Sequence, residues 1–252
     1  MSQTKQLILP GEAGDIEVAI NEGTSTQPTG VAIIAHPHPL FGGSMDNKVV
    51  TTLMRAFNDC GVTVWRFNFR GVGKSAGVHD DGPGEVRDAL QVIATALAQT
   101  DSSTSIEKPS EDALNTAIST PSPLAPLFIA GFSFGGAVML RAQLLYQQRI
   151  QQQSLAQAQS GNEATTRAMH CALVAPAMWQ RFGGETPPNV ALSSLIVHGD
   201  RDDTVPLEQV MNWARLQGLP VTVVPDGEHF FHGRLGVLKD LTSNWCRGRL
   251  AG

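Results

Sequence analysis

Ser133 stands in Gly131-Phe132-Ser133-Phe134-Gly135, where an apolar run (127–132) gives way at once to residues of helical spacing. A G-x-S-x-G between strand and helix has the context of a nucleophile elbow, a strained turn that exposes the serine hydroxyl. Side chains two residues to either side would collide with the neighbouring strand and helix, which is why glycine is needed there. A serine hydroxyl is a poor nucleophile at neutral pH, so the elbow predicts a histidine base and an orienting carboxylate, in the order Ser, Asp or Glu, His. Both follow. "HGDRDDTVP" (198–206) places Asp200, Asp202 and Asp203 after a strand, and "DGEHFFHGRL" (226–235) places His229 and His232 in a loop before the final helix.

Two further stretches carry residues with chemical potential. "AHPHPLFGG" (35–43) ends a strand in His36 and His38, a pair that would serve a metal-dependent hydrolase if further His and carboxylate ligands joined it. The other candidate ligands are already used by a Ser-Asp-His set in the expected order, so no metal is expected. "GVGKS" (71–75) resembles part of a phosphate-binding loop, but Asn68 stands where that motif needs glycine and no helix opens after it. The expectation is a glycine turn, with Arg70 making structural hydrogen bonds. His79 and His170 have no motif around them and read as ordinary surface or satisfied residues.

The elements that must position these groups follow from periodicity. Strand-length apolar runs at 5–9, 15–20, 31–36, 62–68, 127–132, 171–175, 193–198 and 220–225 alternate with helical stretches, the pattern of a mostly parallel sheet covered on both faces. The first two runs are separated only by a glycine-containing turn and predict an antiparallel hairpin at the sheet edge. Val49, Val50, Leu53, Met54 and Phe57 make one face of a helix from Asn47 to about Asp59, with Asp46 placed to cap it. Val86, Leu90, Ile93 and Leu97 stripe a second helix, and Ala137 to Leu145 form a third, more buried one. Polar tracts at 100–123 and 147–167 read as surface insertions, the second extending its helix.

The chain of 252 residues suits one α/β domain, 1–252, with a substantial core. A net charge of -5 gives no electrostatic reason to bind nucleic acid. The first residues lack the basic and apolar regions of a signal peptide and no stretch is long enough to span a membrane, so a cytoplasmic protein without a membrane partner is expected. Cys60, Cys171 and Cys246 are odd in number and far apart, which reads as reduced thiols.

The motifs together resemble the α/β-hydrolase superfamily over nearly the whole chain. More narrowly, "AHPHPLFGGSMDNKVV", "RFNFRGVGKSAGVHDDGPGEVRDA", "AGFSFGGAV", "HGDRDDTVP" and "HFFHGRL" look like a bacterial group of small serine hydrolases related to the dienelactone-hydrolase branch. The two polar tracts depart from that group's compact pattern. The resemblance implies a central sheet of about eight strands and no cofactor. In the family pattern H-G-x-x-D-x-x-V-P the acid falls on Asp202, with Asp203 its neighbour and competitor. The base, a loop histidine followed by aromatics, falls on His229, leaving His232 outside the triad. Oxyanion donors would be the backbone N–H of Phe134 and one from the loop after the third strand. Pro37 and Pro39 have no N–H, so His38 or Leu40 remains, and the family's usual position favours His38.

Only 17 residues separate the runs at 171–175 and 193–198, too few for a helical lid. Leu40, Phe41, Trp179 and Phe230 are expected to wall an apolar acyl pocket. The expected activity is a carboxylesterase-like cleavage (EC 3.1.1) of a small-molecule acyl compound through an acyl-enzyme, with thioester, lactone or amide as further options. The alternatives are a metal-dependent hydrolase using His36 and His38, or a non-catalytic binding protein on the same scaffold.

Overall fold

A computed structural model describes residues 4–23, 29–104, 124–159, 167–177 and 188–251. Strand by strand, alternate residues enter opposite sides of one eight-stranded sheet. Its strands are β1 (Thr4–Gly11), β2 (Gly14–Asn21), β3 (Val31–Ala35), β4 (Thr63–Phe67), β5 (Leu127–Phe132), β6 (Met169–Val174), β7 (Leu195–Gly199) and β8 (Thr222–Val224). The spatial order is β1-β2-β4-β3-β5-β6-β7-β8. β1 pairs antiparallel with β2, and β2 antiparallel with β4; all remaining pairings are parallel. The edge hairpin and the eight strands expected from periodicity are present, with boundaries moved by at most two residues.

Among the described residues five α-helices cover the sheet: α1 (Lys48–Asn58), α2 (Pro83–Thr104), α3 (Phe134–Gln159), α4 (Leu207–Gln217) and α5 (Leu235–Leu250). Val31, Ile33 and Ala35 of β3 pack with Val86, Leu90 and Ile93 of α2 and Val138 of α3. Ala32 and Ile34 of the same strand pack with Val49, Val50, Leu53 and Phe57 of α1 and Leu238 of α5. Strands buried on both faces read as continuous apolar runs for this reason. A third cluster joins Leu173 of β6 and Ile196 of β7 to Val210 and Trp213 of α4.

Two local readings change. The cap of α1 is Asn47, whose side chain accepts the Val49 N–H at 2.9 Å. Asp46 instead pairs with Arg66 at 3.1 Å, because β4 directs that buried guanidinium toward the start of α1. Within the two polar tracts α2 runs to Thr104 and α3 to Gln159, while 105–123 and 160–166 lie outside the described residues. Among the described residues no helix is long and apolar enough to cross a membrane.

The chain reverses its direction of travel across the sheet between β3 and β5. α1 carries the chain from β3 to β4 on one side, whereas β5 lies on the other. In open α/β sheets the crevice beyond the strand ends at such a switch point is where ligands bind. The loop after β3 and the turn after β5 both open into it.

Candidate active site

Ser133 occupies the turn between β5 and α3 with φ +54°, a conformation that an L side chain adopts only under constraint. Its N–H donates to Val174 O at 3.0 Å, and its own carbonyl accepts from Gly136 and Ala177, each at 3.0 Å. A Cβ on Gly135 would meet the carbonyl oxygens of Ala35 and His36, and one on Gly131 would meet the Gly135 carbonyl. Both glycines are therefore required by close backbone approach.

His229 follows β8 in a loop whose partner is the loop after β7. Arg201 N–H donates to Gly227 O at 2.9 Å, and a Cβ on Gly199 would strike the Gly227 backbone. This contact brings residues 27 and 96 positions apart into one line: His229 Nδ1 lies 2.7 Å from Asp202 Oδ2, and His229 Nε2 lies 3.0 Å from Ser133 Oγ. With Nδ1–H donating to the carboxylate, Nε2 is left to accept the serine proton. All three residues are buried, and the His229 ring packs on Phe132, centroids 4.9 Å apart.

Asp202 is fixed from every side. Its Oδ1 accepts the N–H groups of Thr204 at 3.0 Å and Val205 at 2.7 Å, while Oδ2 faces His229. Asp203 is exposed and accepts from the Thr204 hydroxyl at 3.4 Å, and Asp200 lies outside the line, its N–H on Val224 O. His232, exposed, pairs with Glu228 at 2.9 Å.

The loop after β3 separates the two histidines by role. Phe69 N–H donates to His36 Nε2 at 3.0 Å, so Nδ1–H faces Pro37 O at 2.6 Å. Both ring nitrogens of His36 are thus spent on the backbone, and burial pushes its pKa down to about 4. His38 caps a 3-10 turn at Pro39–Phe41, its Nδ1 accepting the Leu40 N–H at 3.3 Å. That bond occupies the donor at Leu40. The His38 ring sits 4.9 Å from Phe134, so the loop and the residue after Ser133 are in direct contact.

His79, expected as a surface or satisfied residue, is satisfied: its side chain is 8% exposed and belongs to this neighbourhood. Its ring packs 4.8 Å from His38 and 5.4 Å from Phe134, and Nδ1 meets the fully buried Glu85 carboxylate at 2.8 Å. Glu85 also accepts the N–H groups of Asp80 and Gly82 at the start of α2. A glutamate following Pro83 at a helix start was the available sequence signal. Arg70 makes the structural bonds expected of it, a two-pronged pair with Asp88 at 2.8 Å.

The anticipated apolar wall is only partly assembled. Phe230 lies 5.1 Å from the His229 ring and lines a groove of about 260 Å³ with Asn47, Lys48, Val49 and His232. Leu40 and Phe41 are 70% and 86% exposed, since the 3-10 turn carries them outward, and they form a rim rather than an enclosed wall. Trp179 lies outside the described residues. Among the described residues no group of three or more His, Cys, Asp or Glu could hold a metal ion.

Known structures share this arrangement of strands and helices. An α/β serine hydrolase without a lid from Xanthomonas campestris is 30% identical, covers 100% of this chain and 97% of its own, and superposes with a TM-score of 0.75. An α/β serine hydrolase homologue from Coxiella burnetii is also 30% identical over 97% of both chains, at a TM-score of 0.69. The chain belongs to the α/β-hydrolase superfamily. A curated relative, an uncharacterized protein of Rickettsia prowazekii, is 46% identical over 84 residues, so this chain spans about a third (35%) of that relative's length. No protein-family model matches the chain.

Proposed function

We propose that this hydrolase-fold protein is a serine hydrolase of small acyl compounds, carboxylic esters first, within the branch that includes dienelactone hydrolases. The observation that carries the reading is the continuous line from Ser133 Oγ through His229 to Asp202, at 3.0 Å and 2.7 Å. In this reading His229 Nε2 takes the Ser133 proton as Oγ attacks the carbonyl carbon. Asp202 holds the tautomer and stabilises the imidazolium that forms. The tetrahedral oxygen is met by the N–H groups of Phe134 and His38, the leaving alcohol receives the His229 proton, and water then releases the acyl group by the same steps.

The substrate enters from the open end of the sheet, and its apolar part lies along Phe230 and the groove beside it, under the rim of Leu40 and Phe41. This favours short soluble esters over long acyl chains. The His36/His38 metal reading would require His36 to surrender two backbone hydrogen bonds.

Labelling with a fluorophosphonate, followed by mass spectrometry, tests the mechanism. The expected adduct is on Ser133, is unaffected by EDTA and is missing in Ser133→Ala. Ester hydrolysis that persists in Ser133→Ala yet disappears on chelation would favour the metal reading instead.

A further inference from the structure

β7 is aliphatic except at its end: Leu195, Ile196 and Val197 are followed by His198, whose ring is fully buried. Nε2 lies 2.8 Å from Val205 O and 3.4 Å from Asp202 Oδ2, whereas Nδ1 is buried with no hydrogen-bond partner among the described residues. A ring that leaves one nitrogen unpaired in a core costs free energy that an aliphatic residue would not. Packing alone is therefore a poor reason for histidine at this position.

The location of the other nitrogen supplies a better one. Nε2–H closes the turn 199–205 on itself through the Val205 carbonyl, while the Val205 N–H returns to Asp202 Oδ1 at 2.7 Å. The turn that carries the acid is thus clamped at both atoms of one peptide-bearing residue. The His198 N–H is donated to Val205, and its ring nitrogen lies 3.4 Å from the Oδ2 that His229 contacts at 2.7 Å, close enough for its dipole to act on the carboxylate without a hydrogen bond. Asp202 and His229 are the titratable groups acting on the His198 ring, and burial, the largest influence, lowers its pKa. Its neutral form keeps a donor, not a second positive charge, beside the Asp202–His229 pair.

We propose that His198 is a positioning residue, which sets the place of the Asp202 carboxylate by clamping the Val205 carbonyl and moderates its pull on His229 through the ring dipole held beside Oδ2. The proposal rests on the Ser133–His229–Asp202 reading. Removing the His198 N–H dipole from beside Oδ2 would strengthen the charge that His229 feels and favour its protonated form. The loosened turn would at the same time misalign the base.

The experiment measures the rate of fluorophosphonate labelling against pH for wild type, His198→Phe, His198→Gln and His198→Asn, with urea denaturation of each. Phe is expected to label about tenfold more slowly and to move the acid limb upward by about half a pH unit. Gln, whose amide N–H reaches the same carbonyl, should recover most of the rate and the wild-type limb; Asn, too short, should not. Where Phe fails to fold, the Gln and Asn variants decide the matter by the same contrast. Wild-type rate and limb in every folded variant, whatever their stability, would overturn the proposal. Gln behaving no better than Asn would do so too. Ser133→Ala and His229→Ala run alongside: their full labelling would overturn the triad itself, a result distinct from a normal triad that ignores His198.

Discussion

The proposed mechanism separates residues whose side chains would react from those that would serve through their backbone. Asp202 accepts from His229 and two turn N–H groups, whereas Asp203 faces water. Asp202→Asn should therefore lower kcat/KM for a model ester by about 10⁴-fold, through loss of the correct His229 tautomer. Asp203→Asn, removing an exposed group, should stay within about twofold. In the proposed mechanism the His38 backbone N–H meets the oxyanion, while its ring accepts the Leu40 N–H and packs on Phe41, His79 and Phe134. His38→Ala should then cost far less activity than His229→Ala, and equal losses in a parallel assay would place the imidazole itself in the reaction.

Between elements, close backbone approach is what makes the site. α3 begins against the end of β3, with Gly135 beneath the carbonyls of Ala35 and His36. Gly135→Ala must push the helix from the strand, and overpacking of this kind costs about 1–3 kcal/mol. The expected outcome is a lower urea midpoint together with slowed labelling of Ser133, because the same shift separates Phe134 from the loop after β3. His36 performs a related task between strands. Its Nε2 accepts Phe69 N–H just beyond β4, so one ring ties the ends of two parallel neighbours at the switch point.

Across the whole molecule, that tie makes stability depend on pH. The unfolded chain takes up a proton on histidine near pH 6.5, whereas His36 in the fold does so only at about 4. Between those values the unfolded state binds more protons, so stability rises with pH. The contribution is complete above pH 6.5 and is withdrawn as pH falls toward 4, an effect of about 3 kcal/mol at 1.36 kcal/mol per unit. His198, lowered by burial in the same sense, adds to the slope. Urea midpoints measured from pH 7.5 down to 4.5 should fall steadily, and His36→Gln, with no proton to gain, should show a flatter profile on a lower baseline.

Residue types and order were enough to indicate the eight strands, the edge hairpin and the Ser, Asp, His sequence, because alternation, glycine placement and a reactive group's need for a partner are local or ordinal properties. Asp202 over Asp203 was legible only through a resemblance, since adjacent aspartates have equal chemistry until a turn gives one of them to His229. His79 and His198 were not legible as part of the site. Each gains its meaning from a partner brought by another element or by a turn's closure: Phe134 for the first, the Val205 carbonyl and the adjacent Asp202 carboxylate for the second. The outward turn of Leu40 and Phe41 was hidden for a similar reason, as an apolar side chain's sequence position does not say whether the backbone carries it in or out. Sequence thus determined which groups are available and in what order. Tertiary structure decided which nitrogen faces which oxygen, because those distances are set by strands and loops far apart in the chain.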